Sequence, residues 1–160
     1  VNPLQPQAQV LGVARPELLD PMAGALQQLG LSRAVVVHGD GGLDEASLAG
    51  PNALRLIESG GITSQEVCPE DLGLTRAGLD LLRGGDCAVN QRILQAVLQG
   101  QGSLPQMEVV AFNTALVLWA AGLQSDLKAA AAQAMTVLSE GKAWETLVAL
   151  RDALSDGDGE

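Results

Sequence analysis

The sequence predicts an α/β fold: part of a mixed or parallel sheet covered by helices, with a helical C-terminal half. Three observations carry this expectation. An apolar run, an amphipathic helical stretch and a β-branched run follow one another between Gln9 and Val37, which makes a strand–helix–strand unit. Two short extended runs then flank a glycine pair at Gly60 and Gly61. Beyond Gly85 the pattern is helical, rich in leucine and alanine.

The opening, Val1 to Gln9, holds two prolines and reads as a lead-in to a strand over Gln9 to Val13. Pro16 sits where a first helical turn tolerates proline. Leu18, Leu19, Met22, Ala25, Leu26 and Leu29 follow at helical spacing, and Gly30 ends the helix. Ala34 to Val37 is apolar and largely β-branched, as a strand buried on both faces should be. A strand–helix–strand unit places its strands parallel. The loop His38 to Gly50 leaves the carboxyl end of the second strand, the position where open α/β sheets bind ligands. Ala53 to Glu58 and Ile62 to Val67 read as a hairpin around Ser59, Gly60 and Gly61. A turn at Pro69 to Gly73 and a short helix at Leu79 to Arg83 come next. Four helices complete the chain. The first, over Val89 to Leu98, has Val89, Ile93, Leu94, Val97 and Leu98 for one apolar face, with Asp86 placed to cap it. Glu108 to Ala121 is apolar enough to be a core helix. Asp126 to Ser139 is alanine-rich. Trp144 to Leu154 is amphipathic. Residues 1–154 form one unit, and the acidic, glycine-containing stretch 155–160 reads as a disordered tail.

With 160 residues, 47% of them hydrophobic and 18% charged, the chain can bury one core. Phe112, Trp119 and Trp144 are its only aromatic residues, so that core must be aliphatic. A net charge of −10 repels nucleic-acid backbones and anionic lipid, and the seven arginines are scattered, none adjacent to another. These features argue against a nucleic-acid or membrane partner. The most apolar segment, Val109 to Ala121, is too short to span a bilayer, and no signal peptide is visible. Cys68 and Cys87 show no metal-binding spacing and read as reduced thiols of a cytoplasmic protein. The first residue is Val1 rather than methionine, which suggests a fragment lacking an N-terminal portion.

The segment that carries chemistry is His38-Gly39-Asp40-Gly41-Gly42-Leu43-Asp44-Glu45. Its glycines let backbone approach a ligand closely. Two adjacent carboxylates repel each other unless a cation compensates. Mg²⁺ takes one or two protein carboxylates and fills its remaining positions with water and phosphate oxygens, so Asp44 and Glu45 suit a metal-bound diphosphate. Other readings stand beside this one: Asp44 as a helix N-cap with Glu45 in the first turn, or both simply solvated.

Several stretches in order resemble anthranilate phosphoribosyltransferases. V-V-V-H-G-D-G-G-L-D-E-A-S-L-A-G-P runs from Val35 to Pro51, after N-P-x-x-P-x-x-Q-V-x-G-V from Asn2 and P-E-L-L from Pro16. P-E-D-L-G-L from Pro69, L-R-G-G-D from Leu82, A-V-L-Q-G from Ala96 and F-N-T-A-L from Phe112 follow. The resemblance implies the large domain shared by nucleoside phosphorylases and phosphoribosyltransferases. It also implies transfer of the phosphoribosyl group of phosphoribosyl pyrophosphate (PRPP) to anthranilate, in tryptophan biosynthesis. Asp44 and Glu45 match the family's Mg²⁺-coordinating pair. The family's G-T-G-G-D and K-H-G-N motifs, its anthranilate-contacting residues and the helical domain through which it forms homodimers are not in this chain. A fragment of this kind is expected to be inactive alone, and no catalytic or PRPP-contacting residue is assigned within it. The alternative is a non-catalytic or nucleic-acid-binding relative of the same fold; thymidine and pyrimidine-nucleoside phosphorylases share the fold but fit these motifs less well.

Among the remaining polar residues, His38 reads as structural, or as supporting the metal loop from behind. Asp40 is either a loop organiser or solvated. A buried amide inside an apolar helix needs partners, so Asn113 and Thr114 are expected to bond a neighbouring loop. Trp119 and Trp144 are read as core residues.

Overall fold

The computed structural model describes residues 6–59 and 61–155. A four-stranded mixed sheet has the order β1-β2-β3-β4, with β1 Ala8–Gly12, β2 Arg33–His38, β3 Asn52–Glu58 and β4 Gly61–Val67. Strands β1 and β2 are parallel, as the strand–helix–strand reading requires, and the two later pairings are antiparallel. The connection between β1 and β2 is helix α1, Leu19–Gln28, entered through a short 3-10 turn at Pro16–Leu18.

Period-two alternation on β2 decides the layering. Val35 and Val37 face one side of the sheet, opposite Leu56 and Leu54 of β3. Ala34 and Val36 face the other, opposite Ile57 and Arg55. The first set joins Phe112, Ala115, Leu116, Ala130 and Ala131 in the main core. The second joins Leu19, Ala23 and Leu26 under α1. All four β2 side chains are at most 1% exposed. Burying a valine or leucine this fully contributes about 1.5–3 kcal/mol each.

Four helices complete the described residues: α2 Cys87–Leu98, α3 Leu104–Ala120, α4 Leu127–Ser139 and α5 Lys142–Ser155. Asp86 and Asp126 cap α2 and α4, each accepting from the backbone N–H three residues on, at 2.8 and 2.7 Å. Ser103 caps α3 in a reciprocal box with Gln106, whose side chain accepts from the Ser103 N–H. The expected short helix after Gly78 is one 3-10 turn, Leu79–Leu82.

The apolar face of α2 is largely open: Val97 is its one buried residue, and Leu94 is 52% exposed. Two expectations need revising. Helix α3 is a core helix on one face alone, since Val117 is 52% exposed on the other. Trp119 is buried, whereas Trp144 is only half-buried on a helix with no buried residue. Of the expected tail, Ser155 closes α5 and the rest lies outside the described residues, as do Gly60 of the hairpin turn and the first five residues.

Arg33, at the start of β2, secures the far end of α3. Its Nη2 donates to the Trp119 carbonyl at 2.6 Å and its Nε to the Ala120 carbonyl at 3.3 Å. The guanidinium lies 4.4 Å from the Trp119 ring centroid, and its Nη1 pairs with Glu58 at 2.8 Å. A cation here adds donors to two carbonyls of the helix end and opposes its negative dipole. Removing these contacts with Arg33→Ala is expected to cost about 1–3 kcal/mol in urea unfolding. Lysine should restore little, because it lacks the planar fork.

Arg55 on β3 reaches α1 through Asp20, its Nη2 donating to the Asp20 carboxylate at 3.2 Å. The hydrogen bond from Arg55 holds the Asp20 carboxyl below its ordinary value. The contribution of a carboxyl with a depressed folded pKa is present above its unfolded pKa and lost as pH falls through the folded one. Asp20→Asn should therefore lower stability slightly at pH 7, this carboxylate being exposed, and the difference from the parent should vanish in strong acid, as read from urea midpoints across that range.

Candidate metal centre

The loop after β2 is built from backbone contacts before any side chain enters. The Gly39 N–H donates to the Leu43 carbonyl at 2.9 Å, and the N–H groups of Gly42 and Leu43 return to the Gly39 carbonyl at 3.1 and 3.2 Å. Gly41 and Gly42, at φ 88° and 80°, make the left-handed turn between them. Asp44 and Glu45 follow as a bend, and no helix starts there. The N-cap reading of Asp44 therefore fails. Ala46, Ser47 and Leu48 then turn inward and are fully buried.

Close backbone approach fixes where the two acids sit. A Cβ at Gly12, the last residue of β1, would lie 1.5 Å from the Asp44 carbonyl oxygen, and one at Gly39 would lie 2.1 Å from that of Glu45. Only hydrogen fits at either place.

Two asparagines satisfy the buried backbone beyond. Asn113 on α3 accepts from the Ala46 N–H at 2.8 Å and donates to the Ala46 carbonyl at 2.9 Å and to Val109 on its own helix at 3.0 Å. This is the helix–loop bond expected of Asn113; Thr114 instead lines a neighbouring cleft. Asn52 at the start of β3 is fully buried, accepts from the Ser47 N–H at 2.6 Å and donates to the carbonyls of Ser47, Gly50 and Val67. Asn52 escaped the sequence reading. Its signal was an amide opening a strand directly after Gly50-Pro51. Also unread was Glu108, a buried carboxylate on α3 that accepts from the Thr75 N–H at 3.1 Å and hydroxyl at 3.3 Å. The Ala77 N–H closes this second loop onto the first through the Leu48 carbonyl at 2.9 Å.

His38 is half-buried. Its Nδ1 lies 2.8 Å from the Val13 carbonyl, so it carries the proton and donates, tying the exit of β1 to the end of β2. Asp40 is exposed, with its carboxylate laid against Gly50 at the far end of the loop. Cys68 and Cys87 are free thiols.

Asp44 and Glu45 are both exposed, and among the described ion pairs neither has a cationic partner. Glu45 also lines an open cleft of about 740 Å³, walled mainly by aliphatic residues of α2, α3 and the 3-10 turn at Leu79–Leu82. Among the described residues no three His, Cys, Asp or Glu converge as a protein cage. Two neighbouring carboxylates on a fixed backbone, open to solvent, fit an ion that brings water and phosphate oxygens for the rest of its shell. No helix among the described residues is long and apolar enough to cross a membrane.

Known proteins resemble this chain along most of its length. Residues 1–144 match the glycosyl transferase family, a/b domain. The anthranilate phosphoribosyltransferase of Synechococcus sp. (strain CC9902) is 65% identical over 100% of this chain and 46% of its own length. That of Prochlorococcus marinus (strain MIT 9313) is 64% identical, again over 100% and 46%. Among solved structures, anthranilate phosphoribosyltransferase from Thermus thermophilus superposes with a TM-score of 0.79 at 39% identity, over 86% of this chain and 40% of that one. The Saccharomyces cerevisiae enzyme in complex with PRPP and Mg gives 0.83 at 25% identity, over 93% and 43%. The chain thus spans less than half the length of these relatives. With the family model covering all but the last sixteen of its 160 residues, the chain belongs to the glycosyl transferase family, of which it carries α/β-domain sequence.

Proposed function

We propose that this chain is the C-terminal portion, residues 1–154 with an acidic tail at 155–160, of the α/β catalytic domain of an anthranilate phosphoribosyltransferase. The reaction is transfer of phosphoribosyl from PRPP to anthranilate, giving N-(5-phosphoribosyl)anthranilate and pyrophosphate, as a step of tryptophan biosynthesis in the cytoplasm. The observation that carries the reading is the exposed Asp44–Glu45 pair on a backbone-locked loop at the carboxyl end of β2. Relatives of that name at 62–65% identity support it, as does the yeast neighbour in complex with PRPP and Mg. The homodimer is proposed to form through a helical domain outside this sequence.

Asp44 and Glu45 would hold Mg²⁺, which when bound supplies positive charge against the diphosphate. The chain's own part is positional. Gly12 and Gly39 set the height of the two carboxylates, and Asn52 and Asn113 keep the following residues from swinging out. Holding reactants in place can supply much of the barrier reduction in a displacement of this kind. The remaining PRPP and anthranilate contacts are proposed to come from the part of the relatives that this sequence does not match.

The test is turnover of anthranilate with PRPP and Mg²⁺ by this chain joined to the N-terminal half of a Synechococcus relative, and by the chain alone. Activity is expected in the joined protein only, abolished by EDTA and restored by Mg²⁺. Asp44→Ala with Glu45→Ala should lower kcat/KM about 100-fold or more, since charge stabilisation by a metal is worth several kcal/mol. A folded joined protein without activity would sink the proposal, and turnover by the chain alone would overturn the need for the second half.

A further inference from the structure

We infer that Asn113 is a positioning residue for the cation pair: it sets the affinity of Asp44 and Glu45 for a divalent ion by fixing the peptide between Glu45 and Ala46. The inference rests on the cation reading given above and adds to it a residue on a different element, far away in sequence.

The backbone around Glu45 is held at three points. The carbonyl of Asp44 rests on Gly12 and that of Glu45 on Gly39. The Ala46 N–H, on the far side of the same peptide, is held by Asn113 Oδ1. With the Glu45 carbonyl blocked on one side and the Ala46 N–H bonded on the other, this peptide plane cannot rotate. The root of the Glu45 side chain is then fixed before any cation arrives.

Asn113 is itself immobilised. Its amide uses its acceptor and both donor hydrogens, one of them on Val109 of its own helix, so a flipped amide would set N–H against N–H. The helix is anchored on either side by Phe112, Ala115 and Leu116, each fully buried. Closing the loop is not what Asn113 is needed for. Asn52 already bonds Ser47, Gly50 and Val67 and so fixes the return into β3. What Asn113 adds falls on Ala46, the residue that directly follows the acids. Partners that orient metal-binding side chains from behind are typically worth 10–100-fold in metal affinity, and Asn113 does this through the main chain.

The test uses Mn²⁺ alone as probe and amide NMR as readout, on the whole chain. In the parent, Mn²⁺ should broaden the amides of Leu43 to Ala46 saturably, and Asp44→Ala with Glu45→Ala should abolish this. Without such broadening in the parent, the cation reading itself fails, and the inference with it. Given broadening, Asn113→Ala should weaken the site at least ~10-fold. Leu26→Ala, a cavity under α1 in the core cluster that contains no residue of this loop, should destabilise the fold yet leave Mn²⁺ affinity unchanged. Equal Mn²⁺ affinity in Asn113→Ala and the parent would overturn the inference, as would equal losses in Asn113→Ala and Leu26→Ala. Hydrogen exchange in the unsubstituted chain gives a check that needs no variant. The Ala46 amide should be strongly protected without metal and no more so with it, whereas an Ala46 amide that exchanges freely without metal contradicts the clamp.

Discussion

The two-sided burial of β2 is the constraint on which the rest of the molecule is arranged. A strand with Val35 and Val37 on one face and Ala34 and Val36 on the other must be covered twice. Helix α1 covers one side, and α3 with α4 covers the other. Once β2 is central, β1 must return beside it in parallel and β3 must run back antiparallel, so the carboxyl ends of β1 and β2 meet at one edge. The loop bearing Asp44 and Glu45 starts at that edge and has to fit between Gly12 and α3.

A second constraint follows from the first. The loop turns back into the core at Ala46, Ser47 and Leu48, taking its backbone amides away from water, and every one of them then needs a partner. Asn113 and Asn52 accept from the N–H groups of Ala46 and Ser47 and the Ala77 N–H donates to the Leu48 carbonyl, while Glu108 ties the Thr75 loop to the same helix. The polar residues of an apolar helix are thus the points at which α3 is fastened to the two loops beside the site. Asn113 and Glu108 are tolerated in the core because each has hydrogen-bond partners there.

Much of this arrangement was legible in the sequence. Binary pattern located all four strands to within a residue or two at each end, because β2 is continuously apolar and the hairpin has glycine at its turn. The capping aspartates and the need of Asn113 for a loop partner were equally readable, since each is a local demand of one residue. What could not be read depends on distant partners. Nothing local to Asn52 says that three backbone groups of a loop and the last carbonyl of β4 converge on it, and Gly12 shows its purpose only when Asp44 lies across it. For α2, periodicity reports an apolar face and not what covers it; here that face borders an open cleft. The pair of acids itself was visible, but its neighbours permitted a cap reading that only the absence of a following helix removes.

The contacts of Gly12 and Gly39 are main chain against main chain. A site referenced in this way takes its coordinates from peptide planes, whereas most of a core takes its coordinates from side-chain volumes. Exchange of leucine for isoleucine or valine beneath the sheet shifts helices by fractions of an ångström and is absorbed by repacking. None of that exchange alters the thickness of two stacked backbones. The acids are in effect mounted on a spacer one peptide thick, which insulates their position from drift in the hydrophobic interior while the surrounding sequence changes.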